Sequence, residues 1–363
     1  MRILHVFRSP VGGLFRHVRD LVKAQSELGH DVGIYCDSAT GGQTAAELFS
    51  ITAQFCSLGV TREAMSKLPG LGDIACSHRA LELARSLNVD IIHGHGAKGG
   101  LYGRLAAKLG GKAGVYTPHG GSLHYDWDKL PGPIFLGTEW LLRKTNSGMV
   151  FVCEFEKQLF ERKIGLGKCK SVVVHNGLWP EEFSDVNAPS SARDLLFVGE
   201  MRQLKGVDVL LRAIALLKPS RIVTATLVGD GPEFASFKAL ADELGISEHV
   251  NFAGLKRMPE AINLGRIFVL PSRNESFPYV MLEAIAAHKP IIGCDVGGIS
   301  EVVPKSQLCL SNNPAELARL IEKVLDQPQI AAKQARVLAS HLKQGNTVKV
   351  MASQILSFYQ TCL

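Results

Sequence analysis

The sequence lacks the marks of several common classes of protein. No stretch approaches the eighteen or so consecutive apolar residues of a membrane-spanning helix, so none is expected. There is no GxGxxG with an acidic partner, which argues against a dinucleotide-dependent dehydrogenase. No GxSxG elbow, Walker loop or HExxH is present, which argues against serine hydrolases, P-loop NTPases and zincins. The eight cysteines (Cys36, Cys56, Cys76, Cys153, Cys169, Cys294, Cys309 and Cys362) are scattered and form no CxxC. That disfavours a thiolate metal site or a disulfide framework and suits reduced, buried thiols in the cytosol. No short-period repeat and no low-complexity tract is visible.

What is present reads as a globular enzyme. The 363 residues are 46% hydrophobic and 20% charged, enough for two cores. The N-terminal run Met1–Phe7 is short and meets Arg8, Gly12 and Gly13 at once, so it reads as a first strand and not as a signal peptide. Of the net charge of +6, the whole excess lies in residues 1–180, with 21 basic and 15 acidic residues; residues 181–363 carry 19 of each. A basic first half suits an anionic glycan or lipid surface, although a charge of this size is also ordinary.

Short apolar runs alternate with helical patterns. Expected strands are Arg2–Phe7, Asp31–Cys36, Asp90–His93, Gly114–Thr117, Met149–Val152 and Ser171–Val174, then Asp194–Val198, Ile222–Val228, His249–Phe252, Arg266–Leu270 and Pro290–Cys294. Expected helices include Leu14–Leu28, Val207–Leu217, Pro232–Leu244, Tyr279–Ala287 and Pro314–Leu325. Continuous apolar strands fit parallel sheets covered on both faces, and the alternation fits a doubly wound α/β architecture. A segment rich in Pro, Ser and acid reads as a linker over 181–193. It divides an N-terminal domain, 1–180, from a C-terminal domain, 194–345, with a deep cleft expected between them.

Several motifs sit at strand-to-helix turns. Gly12-Gly13 follows the first strand, where backbone amides and a helix N-terminus favour an anion; a plain tight turn explains it as well. Arg16, Arg19 and Lys23 share one face of the next helix, as a solvated charged face would. Gly199 opens a loop carrying Arg202 and Lys205, two cations that could neutralise a leaving diphosphate or form an exposed basic loop. Glu275 and Glu283 stand eight apart, Glu275 in a loop and Glu283 inside an apolar helix. An acid in such a helix needs a partner, either ribose hydroxyls or a structural Arg. Asp126-Trp127-Asp128 mimics a metal-binding DxD but lies in a loop without other ligands at metal spacing, and reads as a chance match.

Together these pieces resemble the family 4 (group 1) glycosyltransferases, of the retaining GT-B class, over nearly the full length. The resemblance is carried by Gly12-Gly13 with Arg16-His17, by Ile91-Ile92-His93-Gly94-His95-Gly96, by Thr117-Pro118-His119-Gly120 and by Val174-His175-Asn176-Gly177. It continues with Gly199 to Gly206, Val228-Gly229-Asp230-Gly231-Pro232, Glu275 to Glu283, and Gly297-Gly298 with Glu301. It implies two facing Rossmann-like domains, with the last helix, about 346–363, crossing back onto the first. It also implies roles: Glu283 on the ribose, Glu275 on the transferred sugar with the backbone around Ser276 and Phe277, Arg202 and Lys205 on the diphosphate. Gly12, Gly13, Gly199 and Gly229 would let the donor approach, and His119 would sit beside the reacting centre.

The implied activity is retaining transfer of a hexose-type sugar from a nucleotide-sugar donor to a carbohydrate or lipid-linked acceptor, in bacterial envelope polysaccharide, lipopolysaccharide or glycolipid synthesis. No metal, cofactor or nucleic acid is expected. A cytoplasmic enzyme, peripheral at the inner face of the plasma membrane, is the expected setting. The acceptor would meet variable loops around 38–75 and 120–140. One departure is plain: the family usually has Arg directly after the loop glycine, where this chain has Glu200, and Arg202 is the candidate substitute. An epimerase or phosphorylase on the same fold, or a non-catalytic sugar-nucleotide binder, are the alternatives.

Overall fold

A computed structural model describes every residue of the chain except Asn187. That residue belongs to the expected linker 181–193 and lies outside the described residues. The chain forms two compact units: Met1–Asn176 together with Val348–Leu363, and Gly177–Thr347. The described residues of 181–193 thus belong to the second unit, where Pro180–Glu182 makes a 3-10 turn and Arg193 already starts a strand.

The first unit holds β1 (Arg2–Phe7), β2 (Asp31–Asp37), β3 (Val60–Glu63), β4 (Ile91–His95), β5 (Ala113–Thr117), β6 (Gly148–Phe151) and β7 (Lys170–Val173). They form one parallel sheet in the order β3-β2-β1-β4-β5-β6-β7. The second unit holds β8 (Arg193–Val198), β9 (Ala225–Val228), β10 (Val250–Phe252), β11 (Gly265–Leu270), β12 (Ile291–Cys294) and β13 (Leu308–Cys309), ordered β10-β9-β8-β11-β12-β13 and also parallel. Both are doubly wound sheets whose order turns back beside the first strand. The fold is the two-domain, Rossmann-like α/β fold expected.

The central strands are apolar because helices cover both faces. In β1, Ile3, Leu4, Val6 and Phe7 are at most 1% exposed. Each such side chain contributes about 1.5–3 kcal/mol of burial free energy. β3 and β13 were not expected. Val60-Thr61-Arg62-Glu63 is a half-buried edge strand without an apolar run, and β13 is two residues long.

The helix Gly96–Gly110, not among the helices named from the sequence, carries several glycines. They are packing devices: a Cβ on Gly99 would fall 2.3 Å from the carbonyl oxygen of Val6, so only glycine lets the helix lie this close to β1. On the same helix, fully buried Arg104 pairs with Glu139 (2.8 Å), which also accepts from Tyr116 and Ser122. The C-terminal helix Val348–Cys362 belongs to the first unit and packs on the helix Gly12–Glu27.

Candidate active site

In an open α/β sheet, ligands bind beyond the carboxyl ends of the strands where the order reverses. In the second unit that point lies between β8 and β11, which pair directly. The loops leaving them, 199–206 and 271–278, carry most of the residues singled out in the sequence. Gly199 and Gly229 end β8 and β9, neighbouring strands of this edge. Gly206 has φ +66, and a Cβ there would sit 2.0 Å from the carbonyl oxygen of Pro271; glycine alone lets the two loops touch.

Arg273 clasps the loops together. Its backbone N–H donates to Leu204 O (2.8 Å), and its guanidinium forks onto Asp208 at 2.8 and 2.7 Å. Burial opposes the Asp208 carboxylate, but the Arg273 hydrogen bonds prevail and hold its pKa below the usual range. The clasp aims Lys205 at Glu275. Lys205 Nζ donates to Glu275 Oε1 at 2.7 Å, and Ser272 Oγ donates to the same oxygen at 2.7 Å. Glu275 is buried and its Oε2 has no partner among the described residues, so one oxygen is fixed and the other is available. Ser276 O accepts from Gly298 N (2.7 Å) and Phe277 is buried, which anchors this loop. Glu283 lies half-buried in the second turn of the helix Tyr279–Ala286.

In the first unit the reversal lies between β1 and β4. Gly12, with φ +62, and Gly13 open the helix after β1. Register sets His5 of β1 beside His93 of β4, and alternation puts His95 on the same face. The helix adds His17 and Gln25, and the turn after β5 adds His119. His119 and Gly120 have φ +52 and +76 in succession; a non-glycine residue in that region is uncommon and marks functional turns. Buried Glu156 holds the turn, accepting from the N–H groups of Gly120 and Val152.

Five imidazoles therefore meet where the sequence showed five scattered histidines. One ring nitrogen each of His5, His93 and His95 lies within 4.8 Å of the others, as do those of His17, His95 and His119. That spacing would admit a cation, but hydrogen bonds between rings already engage several of these nitrogens. Burial depresses all five pKa values, to about 4 for His5 and for His17, so the rings are neutral at pH 7. Asp126, of the DxD-like run, pairs with Lys163 at 2.8 Å.

Two family models match in tandem: Glycosyltransferase Family 4 over residues 11–182 and Glycosyl transferases group 1 over 180–340. The chain belongs to the group 1, family 4 glycosyltransferases. This glycosyltransferase is 26% identical over 379 residues to a glycogen synthase of Mycobacterium tuberculosis, covering 96% of the chain and 91% of the relative. It is also 26% identical over 380 residues to a D-inositol 3-phosphate glycosyltransferase of Arthrobacter, covering 96% and 90%. The crystal structure of Anabaena HepE in complex with UDP and glucose superposes with a TM-score of 0.84 at 20% identity, covering 99% of this chain and all of that one. That likeness confirms the GT-B fold.

The family's phosphate-loop departure has a structural counterpart. Arg202 Nη1 binds Glu200 Oε2 at 3.2 Å, with both side chains about half exposed. Reading the sequence brought Arg202, Lys205 and Glu275 forward separately. It missed Ser272, Arg273 and Asp208 as their frame, and Gln25, His5 and Glu156 as the frame of His119. An HxH at the carboxyl end of one strand, with a His in the neighbouring strand, was the available signal.

Proposed function

We propose that this glycosyltransferase moves a hexose-type sugar from a nucleotide-sugar donor to a carbohydrate or lipid-linked acceptor, with retention and without a metal ion. The reading rests chiefly on the Lys205–Glu275–Ser272 group at the β8/β11 reversal. Glu275 Oε2 accepts from a sugar hydroxyl, Lys205 faces the diphosphate, and Glu283 takes the ribose. Lys205 and Arg202 stabilise charge as it grows on the leaving diphosphate. His119 takes the role that the family resemblance implies, beside the reacting sugar. HepE, solved with UDP and glucose, makes UDP-glucose the first donor to try. The test is product analysis by NMR with UDP-sugars, glycan acceptors and EDTA: an α-linked product from an α-donor supports the reading, and inversion or strict metal dependence overturns it.

The Arg202–Glu200 pair favours a second reading, a sugar-nucleotide binder without turnover, because the acid occupies the cation a diphosphate needs. Tight nucleotide binding with no product over all donors would select it.

An anionic membrane surface is the proposed setting for the acceptor, within envelope polysaccharide, lipopolysaccharide or glycolipid synthesis. No helix of the described residues is long and apolar enough to cross a membrane. Around the helix Gly132–Leu142, however, Leu130 is 84% and Leu141 67% exposed, with Trp127 and Ile134 also exposed and Lys129 and Lys144 alongside. Apolar anchors beside lysines suit the interface of an anionic bilayer, where each basic residue adds about 1 kcal/mol. The protein should float with phosphatidylglycerol vesicles at low salt and be released at high salt; sedimentation at low salt would refute this.

A further inference from the structure

Within the first unit the buried rings form a directed chain. Gln25 Oε1 lies 2.8 Å from His5 Nε2, His5 Nδ1 lies 2.9 Å from His95 Nε2, and His95 Nδ1 lies 3.1 Å from His119 Nε2. A neutral imidazole has one N–H and one lone pair, and the partner of each nitrogen decides which is which. Gln25 Oε1 is an acceptor, so His5 carries its proton on Nε2 and offers a lone pair at Nδ1. His95 must then donate from Nε2 and accept at Nδ1. His119 in turn must donate from Nε2, which leaves a lone pair at Nδ1. That atom has no hydrogen bond among the described residues, and His119 is the one ring of the three that is not fully buried.

A fourth ring meets the far end of the chain. His17 Nδ1 bonds Asn176 Oδ1 at 2.9 Å, so its proton lies there and Nε2 is a lone pair. That Nε2 is buried without a partner, while ring nitrogens of His17, His95 and His119 converge within 4.8 Å. Either polarity of the chain supplies this group with one N–H, from His119 Nε2 or from His95 Nδ1, so its direction is set by Gln25 Oε1.

We propose that Gln25, acting through His5 and His95, fixes His119 as its Nε2–H tautomer, so that His119 offers a sugar hydroxyl an acceptor at Nδ1 and no proton. Gln25, His5 and His95 are positioning residues for this contact. The inference rests on the proposed function only in placing a sugar at His119; the tautomer itself does not.

The test is nitrogen-15 NMR of the full chain with labelled histidine, at pH 7.5. The expected spectrum has His119 Nε2 at a pyrrole-like shift and Nδ1 at a pyridine-like shift. Gln25→Glu, which keeps an acceptor toward His5, should leave this assignment unchanged. Gln25→Leu should release the chain, so that the two His119 shifts move toward each other as tautomers mix. A proton on Nδ1 in the unmodified protein overturns the proposal, as does a Gln25→Leu spectrum identical to it. Stoichiometric zinc bound to the purified protein through these rings would also overturn it, since it would take the lone pairs the chain assigns to hydrogen bonds. Saturating UDP-glucose should shift the Nδ1 resonance. If the tautomer is as expected but that resonance does not move, the chain stands and the placement of sugar at His119 falls.

Discussion

Acidification should destabilise the histidine-bearing unit far above the pH at which carboxylates titrate. His5 and His17 are fully buried, and burial lowers each pKa from 6.5 to about 4. Above pH 6.5 neither the folded nor the unfolded chain binds the proton, and the groups are neutral in the balance. Between 6.5 and 4 the unfolded chain takes up protons that the folded chain refuses, so stability falls as pH falls through that window. At pH 5 each ring costs about 2 kcal/mol, or about 4 kcal/mol for the pair. His93, His95 and His119 shift in the same direction and deepen the loss. For a unit of this size about 4 kcal/mol lowers Tm by roughly 8–16 °C. Calorimetry at pH 7.5 and 5.0 measures it, with hydrogen exchange in β1, β4 and β5 locating it. His17→Asn should flatten the dependence by about 2 kcal/mol, since its titration is removed. An unchanged Tm between the two values, or an unchanged slope in His17→Asn, would refute the burial argument.

Glu139→Ala leaves Arg104 charged, buried and unpaired, and should destabilise the first unit by about 3–5 kcal/mol in a urea melt; a loss under 1 kcal/mol would mean water reaches Arg104. Glu200→Gln frees Arg202 from its 3.2 Å ion pair and removes an acid from the phosphate loop. Nucleoside diphosphate affinity by calorimetry should then rise about tenfold, about 1.4 kcal/mol, and weaker binding would show that Glu200 positions Arg202 for the ligand.

Much of the fold was legible where burial is simplest. The run Arg2–Phe7 matched β1 to the residue, because a strand covered on both faces must be apolar throughout. Edge strand β3 was not, since Thr61, Arg62 and Glu63 need only half burial. The helix Gly96–Gly110 was not named from the sequence, and the fit of Gly99 against Val6 is a long-range contact with no local pattern. In the candidate site, loop position and the eight-residue spacing drew attention to Arg202, Lys205, Glu275 and Glu283, and the family resemblance gave them roles. None of these could show that Lys205 reaches Glu275 across seventy positions, or that Gln25 lies behind His5. Those contacts come from parallel crossovers, which join residues far apart along the chain and leave no local pattern.

The most direct test is ligand protection against thermal unfolding, in EDTA, with UDP, GDP, ADP and their common sugar conjugates. One nucleoside diphosphate should raise Tm, by an amount equivalent to about 2.7 kcal/mol at a hundredfold excess over Kd. Lys205→Ala and Glu283→Ala should abolish the shift, each read against that variant's own unliganded Tm. Protection by none of them, or protection that survives both substitutions, would contradict a nucleotide-sugar site at the carboxyl edge of β8 and β11.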